Sequence, residues 1–106
     1  MGTVIEGYRT RLRPGAAAAY VRVHAQIPSP LHTALTDSGM VSWRIWIDGD
    51  TLFHVIETRD GRELMIDRMI ARGPVDPQWD AVIEGLVDDA PESTSPLALV
   101  WDSTTD

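Results

Sequence analysis

A chain of 106 residues with no cysteine and a formal net charge of −7 excludes several classes of protein. Disulfide frameworks and thiolate-held zinc or iron–sulfur centres are ruled out. An acidic chain whose nine basic residues are all arginines lacks the clustered cations of a nucleic-acid partner, and no apolar run approaches the roughly 20 residues that span a bilayer.

One domain over residues 1–106 is expected at this length. The first ten residues carry no basic stretch followed by an apolar core, so no secretory signal is expected and the setting should be cytoplasmic. The segment Thr3 to Leu12 is rich in β-formers and predicts a strand. Arg13-Pro14-Gly15 ends it, and Ala16 to Ala25 has an excellent helical composition. The prolines of Ile27-Pro28-Ser29-Pro30 must break that helix. A second piece follows from Leu31 to Asp37, with Gly39 as its cap.

Val41 to Ile47 and Thr51 to Thr58 both alternate apolar and polar residues, and Asp48-Gly49-Asp50 between them is a turn signal, so the pair predicts a β-hairpin. Arg62 to Ala71 has helical spacing, and Gly73-Pro74 stops it. Pro77 opens a short helix running to about Val87. A polar loop is expected from Asp88 to Pro96, and a final strand from Leu97 to Trp101.

The resulting order is β-α-β-β-α-β with the second helix split, a ferredoxin-like α+β arrangement with an antiparallel sheet. Both faces of the hairpin carry large apolar groups, Trp43 and Ile45 on one and Trp46 on the other. A second copy of the sheet over the bare face would account for that, so a homodimer of the dimeric α+β barrel type is expected.

Ionisable groups on apolar stripes are the candidates for chemistry. Tyr20 and His24, four apart, share a helix face with Ala17, Ile27 and Leu31. That face looks inward, and histidine is the side chain best suited to move protons near neutral pH. The alternative is a core histidine satisfied by the tyrosine or by a backbone group. Trp43 and Trp79 are either walls for a ring-shaped ligand or ordinary core. Glu57 shares a strand face with Phe53 and Val55 and needs a partner there unless it lies in water. His24, His32 and His54 lack any metal-ligand spacing, so no metal is expected. Nor is there a glycine-rich phosphate loop, a GxSxG elbow or a cysteine nucleophile.

Several motifs, in order, resemble the L-rhamnose mutarotase family over nearly the whole chain. They are Arg13-Pro14-Gly15, Tyr20 to Ile27, Leu31, Leu35 and Gly39, then Ser42 to Trp46, Asp48-Gly49, and Leu52-Phe53 with Glu57. Trp79 and Leu99 to Asp102 match more loosely. The resemblance implies a cofactor-free isomerase that interconverts the α and β anomers of L-rhamnose or a related 6-deoxy sugar. It implies His24 as the proton-transfer residue, Tyr20 beside it, and Trp43 and Trp79 as substrate-binding walls. Ile27-Pro28-Ser29-Pro30-Leu31 departs from the family's Ile-Trp-Pro-Glu-Leu, and Trp43 stands where the family usually has a tyrosine. Trp79-Asp80 replaces its tryptophan pair.

Mutarotation needs one proton removed from the anomeric hydroxyl and one delivered to the ring oxygen, which an imidazole can do without metal or nucleophile. Two other classes share this architecture: another enzyme of the same barrel type, such as a monooxygenase or polyketide cyclase, and a non-catalytic module that binds a small ligand.

Overall fold

The computed structural model describes residues 2–104; Met1, Thr105 and Asp106 lie outside them. Strand β1 (Val4–Arg11) leads into helix α1 (Ala17–His24) and helix α2 (Ser29–Ser38). The hairpin β2 (Met40–Asp48) and β3 (Thr51–Thr58) follows, then α3 (Arg62–Arg72) and α4 (Pro77–Leu86). A short 3₁₀ turn at Pro91–Ser93 and strand β4 (Ser95–Leu97) complete the chain order. The four strands form one antiparallel sheet in the order β2-β3-β1-β4. This is the ferredoxin-like arrangement expected from the sequence.

Two boundaries differ notably from expectation. Helix α2 starts at Ser29 rather than Leu31, because Pro30 occupies its first turn, where no helical N–H is needed. Both helical segments are split, the first at the prolines and the second at Gly73-Pro74, as expected. The last strand covers Ser95–Leu97 rather than Leu97 to Trp101. Ser95, Pro96 and Leu97 pair with Arg9, Tyr8 and Gly7 at the sheet edge, where a proline is tolerated. The apolar run Leu99, Val100, Trp101 continues beyond the sheet and is exposed, Val100 by 95%. Composition identified that run as β-like, but pairing had already been satisfied three residues upstream.

The hairpin forms as its pattern dictates. Asp48 pairs with Thr51, leaving Gly49-Asp50 as a two-residue loop. Gly49 has φ +61° and, among the described residues, no non-glycine residue has positive φ, which fits a type II′ turn. Alternation sends Leu52, His54, Ile56 and Thr58 to the helix side, where all four are buried. Two apolar clusters lie there. Tyr8, Met40, Ile56 and Met65 form one. Leu12, Tyr20 and Leu52 form the other, with Ile45, Ile83 and Leu86 against it.

Among the described residues no helix covers the opposite face of the sheet. Ile5 is 59% and Trp46 54% exposed there. Glu57, on that same face, accepts a hydrogen bond from the Thr3 hydroxyl. It therefore faces away from the helices and takes no part in the cavity described next.

Candidate active site

Between sheet and helices lies an open cleft of about 1140 Å³, slightly above the roughly 300–1,000 Å³ usual for small-molecule sites. Tyr20, His24, Trp43 and Trp79, the four residues singled out in the sequence, all line it. So do Tyr8, Thr10, His54 and Arg62, which sequence reasoning did not place there.

Helix α1 builds one wall. Tyr20 is buried and His24 half-buried, one turn apart. Their rings stack with centroids 4.0 Å apart. Of the two partners left open by spacing, the tyrosine and a backbone group, it is the backbone that orients the imidazole. His24 Nδ1 lies 3.0 Å from the main-chain carbonyl oxygen of Tyr20. A carbonyl only accepts, so Nδ1 carries the proton and neutral His24 presents a lone pair on Nε2. Among the described residues Nε2 has no hydrogen-bond partner. Trp79 meets His24 edge-on, with centroids 5.2 Å apart. That tryptophan is placed by the start of α4: Pro77 sits in the first turn, and Asp76 Oδ1 accepts the Trp79 backbone N–H at 3.0 Å.

The sheet builds the other wall. Tyr8 and His54 are register partners on β1 and β3, and their rings stack at 4.2 Å, 5° from parallel. His54 Nε2 lies 2.8 Å from Thr10 Oγ1. The Trp43 indole N–H donates to His54 Nδ1 at 3.2 Å. Arg62, at the start of α3, lays its guanidinium over the Tyr8 ring, 4.1 Å from the centroid. Its backbone N–H donates to Glu6 Oε2 at 2.7 Å.

Burial sets the protonation states. It pulls His24 below the usual histidine range, opposed by the Tyr20 carbonyl. It pulls His54 down to about 4, helped by the charge of Arg62 and then by His24. Burial also pushes Tyr20 up to about 12, with Tyr8 adding to the effect. Tyr8 is raised by burial against the lowering influence of Arg62. At neutral pH the cleft thus holds two neutral imidazoles and two protonated phenols. The histidines differ in what is free: both nitrogens of His54 are engaged by protein groups, whereas His24 keeps Nε2 open.

His32 sits exposed at the cleft rim. Among the described residues no group of three or more histidines or carboxylates is placed to hold a metal ion. His54 was legible only in part. Strand alternation puts it on the apolar side, but its partners come from a register between β1 and β3 that no local pattern reveals.

An antiparallel sheet with helices on one face, and an aromatic cleft between the two layers, defines an α+β protein of ferredoxin-like type. Within that type, the chain belongs to the L-rhamnose mutarotase family, an isomerase family whose model matches residues 6–104. Among solved structures it is similar to the L-rhamnose mutarotase of Formosa agariphila, with 22% identity and a TM-score of 0.70. That match covers 93% of this chain and 97% of the other. It also resembles tetracenomycin F2 cyclase from Streptomyces glaucescens, a type-II polyketide cyclase, at 15% identity and a TM-score of 0.54. There the coverage is 94% and 98%. At such identities the two structures speak for the fold alone. A search of curated proteins finds no match.

Proposed function

We propose that the cleft is the site of L-rhamnose anomer exchange and that His24 moves the proton. The observation that carries this is the neutral imidazole with a free Nε2, held between Tyr20 and Trp79 in the cleft of a mutarotase-family chain. The anomeric oxygen O1 and the ring oxygen O5 are both bonded to C1, within reach of one nitrogen. Nε2 takes the O1 proton as the C1–O5 bond breaks, leaving an aldehyde at C1. The imidazolium returns the proton to O5. Rotation about C1–C2 turns the other carbonyl face to O5, and the reverse steps close the opposite anomer. Tyr20, kept protonated, is suited to hydrogen-bond a sugar oxygen, while Trp43 and Trp79 offer flat apolar faces to the C–H side of the ring. The steps use no cofactor.

Freshly dissolved single-anomer L-rhamnose followed by polarimetry tests this. Relaxation should quicken in proportion to protein concentration, with EDTA present. Relaxation at the buffer rate would refute it.

The functional unit is proposed to be the whole chain, residues 1–106, as a cytoplasmic homodimer. The cysteine-free composition suits a reducing compartment, and among the described residues no helix is long and apolar enough to cross a membrane. The dimer is supported by the uncovered sheet face, where Ile5, Trp46, Val55 and Leu97 are all exposed. Pairing through this face should bury about 2,000 Å² or more in total. Light scattering at micromolar concentration should return twice the chain mass, and Val55→Glu should halve it. A monomer in the wild type would contradict the pairing.

A further inference from the structure

We propose that Thr10 is a specificity-determining residue whose hydroxyl donates to a sugar oxygen, and that His54 and Trp43 fix it in that orientation. The assignment rests on the mutarotase reading of the cleft and adds to it a second polar wall, opposite His24.

The direction of each hydrogen bond follows from chemistry. An indole N–H can only donate, so His54 Nδ1, 3.2 Å from Trp43 Nε1, must be the unprotonated acceptor. Neutral His54 then carries its hydrogen on Nε2. That N–H donates to Thr10 Oγ1 at 2.8 Å. The threonine hydroxyl has accepted, and its own hydrogen points elsewhere. Thr10 lines the cleft, and among the described residues its hydroxyl has no other hydrogen-bond partner. The chain of donors therefore runs one way, from Trp43 through His54 to Thr10, and ends on an O–H facing the ligand space.

The arrangement is held from several sides. Tyr8 stacks flat on His54, and Arg62 covers Tyr8 from beyond. His54 itself is only 5% exposed. A tyrosine at position 43 could donate or accept and would leave the direction of the chain open; the tryptophan closes that choice. His54 acts through Thr10 and is a positioning residue, since both its nitrogens are engaged within the protein.

The proposal is tested with L-rhamnose and its 2-, 3- and 4-deoxy analogues, each exchange rate divided by its own buffer rate. The wild type should discriminate against one analogue by about tenfold in kcat/KM, the loss expected for one neutral hydrogen bond. Thr10→Val should weaken L-rhamnose by a similar factor, chiefly through KM, and should abolish the discrimination against that one analogue. His54→Leu should lose part of the same discrimination while kcat at saturation changes less than KM. Independently of activity, ¹⁵N NMR of the imidazole should show the Nε2–H tautomer of His54 at pH 7. The Nδ1–H tautomer would overturn the proposal. So would a Thr10→Val protein that keeps the wild-type discrimination, or a wild type that treats all three analogues as L-rhamnose. A wild type that accelerates no sugar would refute the mutarotase reading and the Thr10 role with it, whereas the preceding outcomes overturn the Thr10 role alone.

Discussion

Replacing His24 by asparagine should lower protein-catalysed anomer exchange by about 10² or more while the fold survives, the loss expected when a positioned acid–base group is removed. The side chain is half-buried at a cleft wall rather than in either apolar cluster, so the cost in stability should be modest. Asparagine keeps a polar amide near the Tyr20 carbonyl but has no group that can take a proton from the sugar and return it. Tyr20→Phe should cost far less rate, because the imidazole is oriented by the main-chain carbonyl of residue 20, which the substitution retains. Had the Tyr20 hydroxyl been the orienting group, the two variants would fail together. Measured side by side at pH 7 with matched circular dichroism, a folded His24→Asn protein exchanging anomers at the wild-type rate would remove His24 from the chemistry.

Acid should unfold the protein through His54. An unfolded histidine titrates near about 6.5, whereas in the fold burial, then Arg62, then His24, hold His54 near about 4. Between those values the unfolded chain binds the extra proton, so stability rises with pH across this window. Stability is thus full above about 6.5 and is lost as the pH falls toward about 4, by about 3 kcal/mol in total. The structural reason is specific. Protonated His54 would turn Nδ1 into a donor facing the donor of Trp43, beside the cation of Arg62. His54→Phe keeps a ring against Tyr8 and removes the titration. Urea unfolding at pH 7.0 and 4.5, at one fixed protein concentration, should show a loss of about 2–3 kcal/mol for the wild type and a much smaller one for the variant. Equal losses would mean that His54 is not the acid-sensitive group.

What was legible in the sequence was what repeats locally. Alternation around Gly49 placed the hairpin within a residue at each end, and the four-residue spacing of Tyr20 and His24 put both on an inward face. Pro77 marked the start of α4 and hence the place of Trp79. Illegible were the features made by pairing at a distance. His54 lies 44 residues from Thr10 along the chain, and further still from Tyr8, and meets them only because β1 lies beside β3. The last strand was misplaced for a related reason: Leu99 to Trp101 has the stronger β composition, but the edge of β1 pairs with Ser95–Leu97 instead. A backbone partner for His24 was one of two open choices, and side-chain spacing could not select the Tyr20 carbonyl over the Tyr20 hydroxyl.

The central claim is that neutral His24 exchanges the anomers of L-rhamnose in this cleft, and two-dimensional NMR exchange spectroscopy on the anomeric protons of L-rhamnose at equilibrium addresses it most directly. Burial lowers His24 below the usual value of about 6.5, and the step needs the unprotonated form. The protein-dependent exchange rate should therefore be constant around pH 7 and fall on the acid side with a midpoint below 6.5. Cross-peaks between the α and β signals that grow no faster with protein than in buffer would contradict the account, as would an exchange rate that rises as the imidazole protonates.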